Sequence, residues 1–315
     1  MMLKKFLALA LAANFLAFTP VPAFAETTPT FAEIGEDKIA AAFAVDTEKF
    51  IDSLPAAKGK YKSRQRPILI GGAMNSEINL LVRALKNPVV YRHLNYVYVA
   101  GTYRDYPVVI SRTEEVIPNA AASTALALTN FNPIAVINQG TAGGYLDTLK
   151  IGDIVICSST VNTSAIKLVY QPAGAGIDIT QQEMLSAYAY DKNAGRFRKY
   201  DEFAADPTLL NLAESIYGFD SVTGVIATSN GWVSNIDYIN FLHEKYGAVC
   251  EEMETFAVAQ ICHGSGVPFI GIRTISNNIT NGSIYTPEAA ESAQRFVLIL
   301  TERYFCCISC CIWQV

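Results

Sequence analysis

The chain has 315 residues, 51% of them hydrophobic, with 24 lysines and arginines against 29 aspartates and glutamates and a formal net charge of −5. That length supports a sizeable core, and the acidic balance leaves no broad cationic face for a nucleic-acid backbone, so the ligand is expected to be small rather than polymeric. The three histidines, His93, His243 and His263, stand at no metal-ligand spacing and read as ordinary surface or packed residues.

Lys4 and Lys5 precede an apolar run, Phe6 to Phe18, and Ala23-Phe24-Ala25 supplies the small residues that signal peptidase accepts. The run is short for a membrane span and no lipid-attachment cysteine follows it. The expectation is a signal peptide over 1–25 and a periplasmic or secreted protein; an uncleaved anchor is the alternative. Residues 26–64 form an N-terminal extension with an amphipathic pattern from Asp37 to Leu54 that stops at Pro55. It reads as an arm packed on the main domain or on a partner subunit.

From Ile68 onward the periodicity predicts strand 68–71, helix 76–87, strands near 95–101 and 106–111, helix 118–130 and strand 134–138. Strands near 152–161 and 222–228, helix 236–246, strand 248–252, helix 253–264, strand 268–275 and helix 287–304 follow. This alternation predicts one α/β domain over 65–304, a three-layer sandwich with a central mixed sheet covered on both faces. Ligands in such folds sit at the carboxyl ends of strands. Between Ser164 and Asp206 the segments QPAGAGIDITQQ and DKNAGRFRKYDEF show little periodicity and read as a long excursion: a lid, a subunit contact or a surface loop. Cys157, Cys250 and Cys262 lie in apolar elements and read as small core residues. Cys306, Cys307, Cys310 and Cys311 crowd into a tail, 305–315. Closed zinc sites take ligand pairs from separate strands or turns, so the tail reads as a frayed, non-native or adventitiously oxidised end, and no metal or organic cofactor is expected.

The stretch from Glu251 to Asn278 carries the densest chemistry. Arg273 lies inside an otherwise apolar strand and needs carboxylates or a polar ligand beside it. Acids in EEMET can be ordinary helix-start residues favoured by the dipole, and the same holds for Glu77 in GGAMNSE. The turn GTAGG, with Thr141, Ala142 and Gly143, offers backbone amides and one hydroxyl to a bound group.

Taken in order, ILIGGAMNSEINLL, NQGTAGGYLDTLKIGDIV, EEMET and PFIGIRTISNN resemble the purine nucleoside phosphorylase and nucleosidase superfamily, and within it the 5′-methylthioadenosine/S-adenosylhomocysteine nucleosidases. The resemblance runs from about Arg66 to about Tyr304 and is poor between Ser164 and Asp206. It implies cleavage of an N-glycosidic bond through an oxocarbenium-like sugar, which demands an activated nucleophile, negative charge near the sugar and a donor to the departing base. It implies that Glu77 activates water held with Thr141 and Arg273, beside Met74, Ala142 and Gly143. Glu254, with Glu252 and Met253, is implied at the ribose; Trp232 and Val233 sandwich the base, which Ser276 and Asn277 also meet. Tyr285 would border the 5′ substituent. A homodimer or higher oligomer, with a nucleoside and water (or phosphate) as its partners, is implied as well.

Two departures matter. An aspartate is usual where Asn277 stands; asparagine cannot transfer a proton to the purine, although its amide can hydrogen-bond. A 6-oxo base, compensation by Asn278 or water, or a protein that chiefly binds nucleosides would each follow. At residues 112–119, Glu114, Glu115 and Pro118 replace a glycine-containing turn, which puts a contact there in doubt. The early glycine-rich loop with a phosphate-binding arginine is missing after Met74, where Asn75, Ser76 and Glu77 stand. That favours hydrolysis over phosphorolysis, the second reading; a non-catalytic nucleoside-binding or storage protein is the third.

Overall fold

The computed structural model describes residues 46–312, with side-chain surroundings through residue 309. The signal-like segment and the first part of the extension lie outside the described residues. Helix α1, residues 46–53, buries Ile51 and sets Phe50 and Leu54 against the same core, so the described end of the extension packs on the domain. Its ion pairs Asp46–Arg83 and Asp52–Arg92, both 2.7 Å, are largely exposed and add little beside that burial.

The first half of the domain runs β1 (Ile68–Gly72), α2 (Asn75–Ala84), β2 (Lys86–His93), β3 (Tyr96–Tyr103), β4 (Tyr106–Arg112), α3 (Ile117–Phe131) and β5 (Ala135–Gly144). After β6 (Ile154–Asn162) come the short strands β7 (Ile166–Lys167), β8 (Glu183–Met184), β9 (Ala187–Asp191), β10 (Arg196–Tyr200) and β11 (Glu202–Ala204). The chain closes with α4 (Pro207–Glu214), β12 (Ser221–Thr228), α5 (Ile236–Tyr246), β13 (Ala248–Glu252), α6 (Thr255–Ser265), β14 (Phe269–Asn277) and α7 (Ala290–Ile312).

β1 is buried along its whole length and pairs in parallel with β4 and β5, which is why it reads as a continuous apolar run. Ile68 and Ile70 face the layer of α2, α4 and α7, where Phe296, Val297 and Leu300 meet them. Leu69 faces the opposite layer of α3 and α6, with Phe131 and Phe256, as the period of two requires. The predicted three layers and mixed sheet are what the chain forms.

One topological feature exceeds the prediction. β5 runs parallel to β14, β14 antiparallel to β6, β6 parallel to β12, β12 parallel to β13, and β13 antiparallel back to β5. These five strands close a small ring, from which β1, β4, β3 and β2 extend as an open sheet.

Other differences have local causes. Helix α2 stops at Ala84 rather than 87 because Leu85 is already extended and Asn87 takes φ 51°; β2 follows as an edge strand, the place where Pro88 is tolerated. The excursion is not structureless: β9 and β10 form an antiparallel hairpin, and β11 pairs with β6. α4, absent from the prediction, starts at Asp206, whose carboxylate accepts from the Thr208 and Leu209 amides. The cysteine-rich end is helical rather than frayed: α7 continues through Ile312, stacking Phe305 on Tyr106 at 5.2 Å.

Candidate active site

The ends of β1, β5, β13 and β14 bring their chemistry to one place. Glu77 is the third residue of α2 and is 3% exposed. Its Oε2 accepts the Ala73 and Met74 amides at 2.8 and 3.3 Å, and its Oε1 accepts the Thr141 amide and hydroxyl at 2.8 and 3.0 Å. Helix capping and a cleft role therefore coincide in one residue. Because all four lone-pair positions have donors, an incoming water must displace one. The longer contacts, from Met74 N and Thr141 Oγ1, are the ones easiest to exchange. Gly140 makes the arrangement possible: a Cβ there would stand 2.7 Å from Glu77 Oε1.

Arg273, on β14 opposite Gly140 of β5, is 1% exposed. Its Nη2 donates to Asn138 Oδ1 at 2.6 Å and to the Glu252 carboxylate, and lies 3.7 Å from Glu254 Oε2; Nη1 donates to the Ile272 carbonyl. The strand cation thus has the carboxylate partner that burial demands. Arg273 is not among Glu77's hydrogen-bond donors, which come from residues 73, 74 and 141; it bears on Glu77 through charge.

The three acids of EEMET have three different surroundings. Glu252, expected at the ribose, is engaged elsewhere: it accepts from Arg273, the Thr228 hydroxyl and the Glu254 and Thr255 amides, with a side chain 2% exposed. Burial pulls its pKa up, but Arg273 and these donors outweigh burial and hold it below the usual carboxylate range. It anchors Arg273 and the start of α6. Glu254 accepts the Val116 amide at 3.0 Å through Oε1 and faces Arg273 with Oε2. Burial and the adjacent Glu252 charge raise its pKa, with Arg273 opposing. Of this pair, Glu254 is the acid whose surroundings favour the protonated form.

Glu251 lies on β13, before the helix rather than in it, and is 8% exposed. Its Oε1 accepts the Val233 amide at 3.0 Å and its Oε2 the Tyr145 hydroxyl at 3.1 Å. Burial pushes it up to about 7. The strand over 248–252 is where the sequence predicts it; what residue type alone does not indicate is that Glu251 faces Val233 and Tyr145 rather than serving the start of the helix.

The turn before α3 keeps a contact despite losing glycine. Glu114 and Val116 take φ 58° and 71°, and for a β-branched residue this is a strained conformation worth about 1–3 kcal/mol. It aims the Val116 amide at Glu254 and the Ile117 amide at Asn230 Oδ1, 3.0 Å each. Arg112 braces it, binding Glu114 at 2.7 Å and Asn75 at 3.1 Å.

Around the remaining rim, Ser276 Oγ donates to Asn277 Oδ1 at 3.1 Å and reaches the Ala142 carbonyl at 3.3 Å. The Asn277 amide NH2 is turned toward Gly143. Trp232 is 46% exposed, so it is not a core tryptophan, and meets Tyr285 edge-on at 5.8 Å. Burial together with Glu77 and Glu115 pushes the Tyr285 hydroxyl up to about 12, with Thr141 opposing. Met74 and Met253 are both partly exposed here. Glu77, Thr141, Glu254 and Arg273 are therefore brought together, with Ala142, Gly143, Ser276 and Asn277 beside them. Val233 joins through Glu251.

Residues 67–303 match the sequence profile of the phosphorylase superfamily. The chain belongs to that superfamily. It is 32% identical to a 5′-methylthioadenosine/S-adenosylhomocysteine nucleosidase of Geobacillus sp. (strain WCH70) over 215 residues, 67% of this chain and 84% of that protein. A nucleosidase of the same description from Anoxybacillus flavithermus is 32% identical over 75% of this chain and 98% of its own length. The fold is shared with the Neisseria meningitidis nucleosidase crystallised with methylthio-immucillin-A, at a TM-score of 0.61 and 24% identity, over 76% of this chain and all of that one.

Proposed function

We propose that this superfamily member hydrolyses the N-glycosidic bond of 5′-substituted adenosines such as 5′-methylthioadenosine and S-adenosylhomocysteine, the substrates that the names of its relatives carry. The observation that supports this most is the charge balance of the cleft. Glu77, Glu252 and Glu254 surround Arg273, whose guanidinium is already bound to Glu252. With Arg273 neutralised by Glu252 and Glu254 favouring its proton, a phosphate dianion entering there would be repelled by the Glu77 carboxylate, whereas a neutral water would not. Water displaces the Thr141 hydroxyl on Glu77 and attacks C1′ while Glu77 takes its proton. The ribose hydroxyls donate to Glu254, and as positive charge grows on the sugar the ionised form of Glu254 becomes favoured. Trp232 covers the base, with Tyr285 beside it.

Base release should proceed at an unchanged rate when phosphate is omitted from the buffer, measured with methylthioadenosine and followed as adenine formed. A rate that rises in proportion to phosphate would make the protein a phosphorylase instead. A second reading, a 6-oxopurine nucleoside, is favoured by one observation: Ser276 occupies Asn277 Oδ1, so the amide offers two N–H donors to the base. Inosine assayed beside methylthioadenosine separates the two. Export on residues 1–25 and a homodimeric assembly remain part of the reading, supported respectively by the Lys-apolar-Ala-x-Ala pattern and by the resemblance.

A further inference from the structure

We propose that Glu251 is the acid that protonates the departing purine, the role that asparagine at position 277 cannot perform. This rests on the nucleosidase reading above. Three strands carry the argument. Glu251 of β13 and Asn277 of β14 are both in register with the same residue of β5, Gly143, one on each side. Gly143 has no side chain to part them: a Cβ there would lie 3.2 Å from Asn277 Nδ2, 3.4 Å from Glu251 Cγ and 3.5 Å from Glu251 Oε1. A flat ring seated over Gly143 therefore meets an amide donor from one neighbour and a carboxyl group from the other. Val233, expected on the base, donates its amide to the same carboxyl oxygen, which ties Glu251 to the base end of the cleft rather than the sugar end.

The chemistry balances. As the C1′–N9 bond breaks, its electron pair enters the imidazole ring; the Glu251 O–H proton moves to N7, leaving a neutral base. The Glu251 carboxylate so formed is held by the Val233 N–H and Tyr145 O–H. Water adds its hydroxyl to C1′ and its proton to Glu77; after product release Glu77 gives that proton to solvent and solvent returns one to Glu251. The surroundings suit an acid that works at neutral pH. Tyr145 and Tyr238 and the Cys250 thiol, the titrating groups around it, are all pushed upward by burial and keep their protons, while Glu252 stays ionised against Arg273. Glu251, raised by burial to about 7, changes in this range; Glu254 at the sugar, raised to about 8, changes near it too, but there the ionised form is the one the sugar favours, so only Glu251 gives a loss of rate toward alkaline pH. The required form is protonated, so kcat should fall as pH rises through about 7.

The test is the pH profile of kcat for the full chain and two variants on methylthioadenosine. Glu251→Gln keeps an acceptor for Val233 and should lower kcat by about a hundredfold, leave KM within a few-fold, and abolish the alkaline descent near pH 7. Adding Asn277→Asp to that variant, which places an acid on the neighbouring strand, should recover at least tenfold. A descent that persists in Glu251→Gln, or a double variant that recovers nothing, overturns the assignment. If the unmodified chain releases no base from any nucleoside, the nucleosidase reading itself has failed, a result distinguishable from both.

Discussion

Replacing Glu77 by glutamine should lower kcat by roughly three orders of magnitude, within the range expected when a general base is removed, while substrate binding changes by only a few-fold. Glutamine has the same shape, and its single oxygen can still accept either the Ala73 amide, which now binds Oε2, or the Thr141 amide, which now binds Oε1, so one of the two ties between α2 and the end of β5 is kept. What it cannot do is take a proton from water. Its NH2 would also face N–H donors where a carboxylate oxygen now stands, which adds a local loss of hydrogen bonding of about 1–3 kcal/mol. Isothermal titration with substrate against single-turnover rates separates the two effects. Loss of binding with unchanged turnover per bound substrate would mean that Glu77 only caps the helix.

Arg273→Met should be the most destabilising single change in the cleft, about 3–5 kcal/mol at neutral pH, because it strands Glu252 in the interior without its cation. Such a loss is a large fraction of the 5–15 kcal/mol typical of a folded protein. The sign with pH follows from linkage. In the unmodified chain Glu252 has a depressed pKa, so its contribution is present above the ordinary carboxylate range and fades as pH falls through the lowered value. In Arg273→Met the same carboxyl loses its cation and burial raises its pKa, so the gap between the two proteins should narrow toward acid pH. Urea denaturation at pH 7 and pH 5 measures this. Arg273→Met combined with Glu252→Gln should be more stable than Arg273→Met alone; equal stabilities would show that the pair is not coupled.

The fold was legible wherever burial on both faces or a clean helical period left one reading. β1, α3 and β14 fall within two residues of their expected bounds, since Ile, Val and Ala runs bounded by Pro, Gly or Asn admit little else; β5 starts where expected but runs on from Asn138 to Gly144, through the GTAGG segment that reads as a turn. The hairpin of β9 and β10 was not legible, because of its alternating residues only Ala189 reaches the core, against α6, while Tyr188 and Phe197 stay exposed. Nor was the ring closed by β13 and β14 around β5, which is a matter of long-range register rather than local preference. At the site, residue types pointed to the right strand ends, but which acid faces which partner was hidden. Glu251, Glu252 and Glu254 are near neighbours in sequence, and one lies beside the Asn277 strand end, one on Arg273 and one beside Val116. The left-handed backbone at Val116 was also invisible, as nothing in a valine announces it. It holds because Arg112, Glu114, Asn75 and the Glu254 carboxylate fix the turn from all sides.

The most direct test is a crystal structure of Glu77→Gln grown with an uncleaved 5′-substituted adenosine. The ribose should lie between residues 77 and 254, its hydroxyls on Glu254, C1′ toward the amide of residue 77, and the purine over Gly143 between Glu251 and Asn277. A nucleoside bound at any other surface, or a ribose that touches only one of the two acids, would contradict the account.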